Sequence, residues 1–242
     1  MKTAVITGSS RGIGRAVALR FAREGCNVVI NCAKSAEELR ETLKDIEAMG
    51  ARAVGIQADV SAAGECERLV GAALESFGAI DILVNNAGRS FIGLLSDMKP
   101  DEIAAVVETN LLSAMYCSRL CVPGMVRRKR GVIINISSMW GIVGASCETV
   151  YSGAKGGLNA FTKALAKELG PSGVRVNAIS CGVIKTGMNA FLSAEEASGL
   201  AEQIPLSRFG TGLEVAEAAA FLASDAAAYI TGQILGVDGG MP

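Results

Sequence analysis

The chain has 242 residues, of which half are hydrophobic, and carries 23 Lys and Arg against 24 Asp and Glu residues, for a net charge of −1. This balance excludes a global basic field for nucleic acid. No apolar run approaches the roughly 18 residues that span a bilayer, and Gly8 interrupts the N-terminal segment too early for a signal peptide. We therefore expect a cytoplasmic protein with neither membrane nor nucleic-acid partners.

The chain contains seven cysteines and no histidine. Without histidine, Ser-His-Asp and Cys-His catalysis are excluded, and a general acid must be Tyr, Lys, Cys or a carboxylate. The cysteines form no CxxC pair, so free and mostly buried thiols are expected. Cys117 and Cys121 could share a helix face, but further ligands are lacking nearby, and no metal site is predicted.

Apolar β-branched segments alternate with longer amphipathic segments along the whole chain. Strands are predicted at 3–7, 27–31, 51–57, 80–85, 131–137, 174–180 and 234–237, and helices near 12–24, 35–49, 61–77, 101–129, 149–169 and 212–224. Strands that alternate with helices predict an α/β protein with a parallel sheet and right-handed crossovers. No linker or repeat interrupts the pattern, so residues 1–242 are expected to form one domain.

The segment 181–211 breaks this alternation, and it holds Met188 among polar residues. One interpretation is a lid or substrate loop over a site. The other is a connector that is packed by its own side chains.

Residues 7–14, TGSSRGIG, follow the first predicted strand and open the first predicted helix. Gly8 permits a tight turn, Gly12 lets the backbone approach a pyrophosphate, and Gly14 allows close packing of helix on strand. The helix N-terminus offers unpaired N–H groups and partial positive charge to phosphates. In this strand–turn–helix context the segment predicts a dinucleotide site.

The second predicted strand ends at Asn31, where a carboxylate would bind the adenosine ribose and repel a 2′-phosphate. Its absence, with Arg11 and Lys34 available, favours NADP(H); the alternative is that both cations are merely solvated. Asp59, after the third predicted strand, could accept from the adenine amino group or cap the helix beginning near Ser61.

With these features the sequence resembles the short-chain dehydrogenase/reductase family over nearly its whole length. The resemblance rests on TGxxxGIG at 7–14, NNAG at 85–88, Asn110, Ser138 and YSGAK at 151–155. It implies a single-domain Rossmann fold with a doubly wound, seven-stranded parallel sheet in the order 3-2-1-4-5-6-7. The residues expected to bind NADP(H) are Gly8, Ser10, Arg11, Gly12, Ile13, Gly14, Asn31, Lys34, Asp59, Val60, Asn86, Ala87, Gly88, Tyr151, Lys155, Gly182, Val183, Ile184 and Thr186.

Tyr151 and Lys155 stand four residues apart at the start of a predicted helix, so their side chains share one face. A free Tyr has a pKa of about 10. An ammonium some 4 Å away is worth a few kcal/mol at an effective dielectric of about 20, enough to lower that pKa by up to two or three units. Tyr151 is therefore predicted to donate the proton in reduction and to accept it in oxidation. The alternative is a core Tyr beside an exposed Lys.

Ser138 ends the fifth predicted strand, where its hydroxyl could polarise a substrate carbonyl or simply cap a helix. The family resemblance implies that Lys155 also holds the cofactor ribose and that Asn110 positions a water for proton relay to Lys155. Cys181 stands where family members usually carry Pro. This departure removes a φ restriction beside the expected nicotinamide.

For the substrate, the segments 204–210, 229–233 and 237–240 resemble the 3-oxoacyl-[acyl-carrier-protein] reductases, which implies an NADPH-dependent reduction of a carrier-bound ketone in fatty acid synthesis. The basic run 127–130 could dock the acidic carrier, or it could be a solvated helix end. The segment 170–173 lacks a basic residue that such reductases often carry.

A second, local resemblance links residues 138–151 to the bacterial reductases of the 5-aminopentanone modification on elongation factor P. Glu148 could then meet an amine, and Trp140 could form a wall or a cation–π face, or only pack a loop. The substrate contacts predicted are Ser138, Trp140, Glu148, Tyr151 and Met188. The family commonly forms tetramers, so a homotetramer is expected. A chain that binds NADP(H) as a regulator without turnover is the remaining alternative.

Overall fold

The alternating segments form one parallel α/β sheet in the computed structural model of the chain, which describes residues 1–187 and 192–241. The strands are β1 Thr3–Ile6, β2 Asn27–Cys32, β3 Ala53–Gln57, β4 Ile82–Asn85, β5 Gly131–Ser138, β6 Val174–Cys181 and β7 Ile234–Val237. The helices are α1 Gly12–Arg23, α2 Ala36–Ala48, α3 Ala63–Phe77, α4 Pro100–Val107, α5 Ser113–Arg128, α6 Trp140–Val143, α7 Thr149–Leu169, α8 Ala194–Glu202 and α9 Gly212–Ala223.

The sheet has the order β3-β2-β1-β4-β5-β6-β7, which confirms the expected Rossmann fold. Val5 of β1 pairs with Val29 of β2 on one side and with Leu83 of β4 on the other. The strand order therefore reverses direction between β1 and β4. In open α/β sheets, ligands bind outside the carboxyl ends of the strands at such a reversal.

Two apolar layers sandwich the sheet, which explains why its central strands are largely hydrophobic on both faces. All residues of β1 and β2 are buried. One layer contains Phe21 of α1 and Leu222 of α9, and the other contains Leu69 of α3 and Met125 of α5. The cysteine prediction is confirmed: all seven thiols are free, and six are buried. Among the described residues, no helix is long and apolar enough to cross a membrane.

The single helix predicted at 101–129 is wrong, because a π-helical turn at Glu108–Leu112 separates α4 from α5. Side-chain hydrogen bonds to backbone carbonyls surround this turn. Asn110 Nδ2 donates to the Val106 carbonyl, and Ser113 Oγ donates to the Thr109 carbonyl. Such bonds compete with the regular ladder and favour a local change of helical period.

The segment 181–211 is more regular than expected, because it contains α8. Ser193 and Glu196 form a capping box at the start of this helix. Their spacing of three residues is a sequence signal for a helix N-terminus that could have predicted α8. A bridge between Ile184 and Gly210 holds the two ends of the segment together. Met188, the residue predicted here to contact substrate, lies outside the described residues.

Candidate active site

Four elements bring the predicted catalytic residues to the carboxyl edge of the sheet. Ser138 ends β5 and pairs in register with Cys181, which ends β6. Tyr151 and Lys155 lie in the first turns of α7, and Asn110 lies in the π-helical turn. Parallel strands end at the same edge of the sheet, and the segments that follow or pack on them meet there. Asn110 and Lys155, which are 45 positions apart in sequence, therefore become neighbours.

Lys155 is buried, with 3% of its surface exposed. Its Nζ donates to the Ile136 carbonyl at 2.8 Å and lies 5.6 Å from the centroid of the Tyr151 ring. Burial lowers the pKa of Lys155 to about 8, and the neighbouring Cys181 acts in the opposite direction. The interpretation of an exposed Lys is therefore wrong for this chain.

Burial raises the pKa of Tyr151 well above its ordinary value, whereas the sequence led us to expect a lower one. Hydrogen bonding with Ser138 lowers that pKa, and Cys181 and Glu148 raise it. Lys155 does not reverse the shift because its Nζ lies over the ring face and donates to Ile136. The phenol of Tyr151 is thus neutral at physiological pH.

Ser138 precedes Met139, the N-cap of α6, and its predicted role toward a carbonyl stays a prediction. Its Oγ accepts a hydrogen bond from the backbone N–H of Trp140 at 3.2 Å, which ties it to the start of α6. A hydroxyl that accepts one hydrogen bond keeps its own proton for donation. Ser138 can therefore anchor the following turn and still donate toward a carbonyl oxygen.

The Asn110 amide is oriented by two hydrogen bonds from its Nδ2, to the Arg89 carbonyl at 2.7 Å and to the Val106 carbonyl at 2.9 Å. Its Oδ1 is buried and has no hydrogen-bond partner among the described residues. A Cβ placed on Gly88 would lie 2.9 Å from this Oδ1 and 3.6 Å from Lys155 Nζ. Asn110, Gly88 and Lys155 therefore meet at one point, which suits an acceptor for a bridging donor.

The glycine-rich turn is packed as the spacing predicted. A Cβ on Gly14 would lie 2.4 Å from both the Gly8 carbonyl and Asn86 Nδ2, so only glycine fits there. Asn86 Nδ2 donates to the carbonyls of Thr7 and Gly8, and Thr7 Oγ1 accepts from the backbone N–H groups of Asn86 and Ala87. Asn86 thus fastens the turn after β1 to the end of β4.

The N-terminus of α1 is suited to an anion. Arg11 at its N-cap makes no side-chain capping bond, and no acidic residue lies in the first turn, which includes Gly12 and Ile13. The N–H groups there are directed toward the site edge, and the helix dipole favours negative charge. These features fit the pyrophosphate of a nicotinamide dinucleotide.

Of the residues predicted to lie near the adenosine of the cofactor, Asn31 is buried in the scaffold and Lys34 is exposed at the surface. Asn31 is 1% exposed, and its side chain bonds the backbone of Gly8, Ile56 and Ala58, so it shapes the cradle from within. Lys34 is exposed at the start of the next loop.

Asp59 and Val60 follow β3. Asp59 is exposed, and its Oδ1 accepts from the N–H and Oγ of Ser61. The N-cap of α3 is Ala62. The alternative of Asp59 as helix cap is therefore wrong, because the helix begins two residues later than expected. Val60 is buried, and its carbonyl accepts from Cys66 Sγ.

Glu38, in the first turn of α2, is a residue of this region that the sequence did not single out. Its carboxylate lies 3.6 Å from the Arg11 guanidinium and 3.5 Å from Ser10 Oγ. An acidic residue in a first helical turn is ordinarily a complement to the helix dipole. No sequence signal joined it to Arg11.

The segment after β6 borders the same cradle. A Cβ on Gly182 would lie 2.6 Å from Asp238 Cα, which shows how closely the chain returns here. Thr186 lies beside Gly12, since a Cβ on that glycine would be 3.6 Å from Thr186 Cγ2. Ile184 is buried in the core, whereas Val183 is half-buried.

Two loops meet at the substrate side. The Gly93 N–H donates to the Cys147 carbonyl at 2.8 Å, and Ser90 Oγ donates to a carboxylate oxygen of Glu148. Trp140 is half-buried and lies two residues after Ser138. Sequence reasoning missed Ser90, whose position two residues after the NNAG motif was the only available signal.

The basic run 127–130 lies at the other edge of the sheet from Ser138. It precedes β5, whose eight residues separate it from Ser138 by roughly 23 Å of strand. Arg128 and Arg130 instead lie 3.9 and 3.5 Å from Asp81. Within one chain, therefore, this run does not adjoin the predicted site.

Comparison with known proteins places the chain among related reductases. A family model described as enoyl-(acyl carrier protein) reductase matches residues 8–242. The chain is 43% identical over 240 residues to the 3-oxoacyl-[acyl-carrier-protein] reductase FabG of Staphylococcus aureus, covering 99% of this chain and 98% of that protein. It is 42% identical over 243 residues to the uncharacterized oxidoreductase YmfI of Bacillus subtilis, with the same coverage.

A solved structure from Sinorhizobium meliloti 1021, assigned to the short-chain alcohol dehydrogenases, superposes with a TM-score of 0.94 at 37% identity. The match covers 99% of this chain and 96% of that chain.

Proposed function

The chain belongs to the short-chain dehydrogenase/reductase family and is an oxidoreductase acting on CH–OH and C=O groups, and we propose that it is an NADPH-dependent reductase of a carrier-bound 3-oxoacyl ketone. The observation that carries this proposal is the convergence of Ser138, Tyr151 and buried Lys155 at the carboxyl edge of the sheet. A merely cofactor-binding regulator would need no such set.

The chemistry assigned to these residues is proton delivery. NADPH, when bound, supplies the hydride to the carbonyl carbon. Ser138 donates a hydrogen bond to the carbonyl oxygen, and Tyr151 gives that oxygen its proton. The raised pKa of Tyr151 keeps the phenol protonated at neutral pH, as a proton donor requires. The Lys155 ammonium, with its Nζ 5.6 Å from the centroid of the Tyr151 ring, would offset only part of the cost of forming the phenolate in this buried place.

The proposed cofactor is NADP(H) because the ribose end of the cradle carries cations. Arg11 precedes α1 with an exposed side chain, and Lys34 follows β2 with another. β2 ends at Cys32 and not at a carboxylate that would exclude a 2′-phosphate, and the side chain of the preceding Asn31 is occupied by backbone contacts.

An acyl substrate is supported by exposed apolar side chains beside the site. The contact between Gly93 and Cys147 joins the two segments involved. The large exposed hydrophobic residues are Ile92, Leu94 and Leu95 on the first of these segments, and Ile142 and Val143 at the end of α6, which leads into the second. Such a rim would shield an alkyl chain from water.

The test is NADPH oxidation by the purified protein with acetoacetyl thioester, offered on acyl carrier protein and on coenzyme A. We expect turnover of both, faster on the carrier. If the wild-type protein binds NADPH but reduces neither thioester, the proposed 3-oxoacyl substrate is contradicted.

A second candidate is reduction of the 5-aminopentanone group on elongation factor P, and Glu148 is the observation that favours it. Its carboxylate is close enough to Tyr151 to raise the pKa of that phenol, so a cationic substrate would be attracted to the site. Activity on the modified factor alone, lost in Glu148→Gln, would favour this candidate.

The proposed assembly is a homotetramer, with the cytoplasm as the expected location. β7 is an edge strand, so one side of its backbone is unpaired. Phe221, Tyr229 and Leu235 are exposed nearby. Light scattering should give four times the chain mass of 24.9 kDa. A monomeric mass would contradict the assembly.

A further inference from the structure

The Arg11 guanidinium is already shared with a carboxylate. Its Nη1 lies 3.6 Å from Glu38 Oε1, and the other oxygen of that carboxylate lies 3.5 Å from Ser10 Oγ. Glu38 is held in this position by α2, whose Thr42 Oγ1 donates to the Ser10 carbonyl at 3.0 Å. The loop that carries Arg11 and the helix that carries Glu38 are therefore fastened together.

The Glu38 carboxylate places a negative charge beside Arg11, at the point where the proposed function requires the 2′-phosphate of the cofactor to bind. A 2′-phosphate that approaches Arg11 must either displace Glu38 from the guanidinium or share the cation with it. An adenosine ribose with a free 2′-hydroxyl meets no such competition.

We propose that Glu38 is a cofactor-specificity residue that competes for Arg11 and so lowers the preference for a 2′-phosphorylated nicotinamide dinucleotide. The inference rests on the proposed use of NADP(H). The size of the effect is limited because both side chains are partly exposed, at 71% for Arg11 and 40% for Glu38. Exposed ion pairs are weak and are screened by salt.

The test compares Glu38→Gln with Glu37→Gln in equilibrium binding of NADPH and NADH, followed by nicotinamide fluorescence on the full chain. Glu37 is the matched control because it lies in the same first turn, changes the same charge, and pairs with Arg40 instead. We expect Glu38→Gln to bind NADPH about three- to ten-fold more tightly, with NADH changed by less than about two-fold. Glu37→Gln should leave both constants within about two-fold.

Two further measurements identify the cause. Raising the salt from roughly 50 mM to roughly 500 mM should shrink the gain, since the charges are exposed. In an Arg11→Gln background the gain should fall below about two-fold; a gain that persists in full overturns competition for Arg11.

Equal tightening of NADH and NADPH, or no tightening in Glu38→Gln, overturns the proposal while leaving the reductase function intact. Wild-type protein that binds neither cofactor contradicts the proposed function and this inference with it.

Discussion

Lys155 lies over the ring of Tyr151, with Nζ 5.6 Å from the ring centroid, while the same Nζ donates to the Ile136 carbonyl. The lysine is therefore anchored to the end of a strand and presented to the face of the phenol. Burial of the two side chains at this point raises the pKa of Tyr151 and lowers the pKa of Lys155 to about 8.

The lowered pKa of Lys155 predicts a pH-dependent contribution to stability. The pKa of Lys155 is about 8 in the folded chain, and its ordinary value is 10.5. Between these values the unfolded chain binds more protons, so the contribution of Lys155 to the free energy of unfolding rises with pH. Relative to Lys155→Met, the wild type should gain at most about 3 kcal/mol across this window.

Urea unfolding of both proteins at several pH values between 8 and 10.5 measures this difference, in which titrations common to the two proteins cancel. If the free energy of unfolding of the wild type relative to Lys155→Met falls with rising pH, then folding does not lower the pKa of Lys155.

Tyr151→Phe should reduce turnover by at least about 10³-fold, because the proton donor is lost while the ring remains. NADPH affinity should change by less than about three-fold. Stopped-flow and equilibrium fluorescence separate the two quantities. Tyr229→Phe is the matched control, since Tyr229 is fully exposed and outside the site. Retention of substantial turnover in Tyr151→Phe would remove Tyr151 from the chemistry.

Gly14→Ala should destabilise the fold by about 1–3 kcal/mol and weaken NADPH binding more than about ten-fold, because the added Cβ collides with the Gly8 carbonyl and Asn86. Gly71→Ala provides the comparison. It lies within α3 with nothing within 4 Å of the added atom, and should be neutral or stabilise by about 0.5–1 kcal/mol. Thermal unfolding and cofactor titration report both effects. Equal behaviour of the two variants would mean that the turn tolerates expansion.

Asp81→Asn should cost about 1–3 kcal/mol of stability without changing turnover. Asp81 is buried, accepts from the Thr3 N–H at 2.9 Å, and lies near Arg128 and Arg130 at the edge away from the site. Asp45→Asn, which breaks an exposed pair with Arg15, should change stability by less than about 0.5 kcal/mol. Loss of activity in a stably folded Asp81→Asn protein would connect this edge to catalysis.

The fold could be predicted well because its signals are local and redundant. Strands such as β1 and β2 are buried on both faces and therefore appear as largely apolar segments without polar alternation. The turn at 7–14 and the four-residue spacing of Tyr151 and Lys155 were likewise visible without coordinates.

What the sequence could not supply were contacts between distant segments. Glu38 meets Arg11 only through the packing of α2 on the turn after β1. The pKa direction of Tyr151 depended on burial and on the orientation of Lys155, neither of which follows from spacing. The run 127–130 could be placed only once the direction of β5 was known.

The π-helical turn at Glu108–Leu112 holds the extra residue that aims Asn110. Removing one residue from this turn would restore a continuous α-helix and rotate everything after it by about 100° relative to α4. The backbone would become more regular, but Asn110 would leave its place beside Gly88 and Lys155. Shortened variants should therefore trade catalytic competence for helical regularity, which makes this turn a poor target for stabilising deletions.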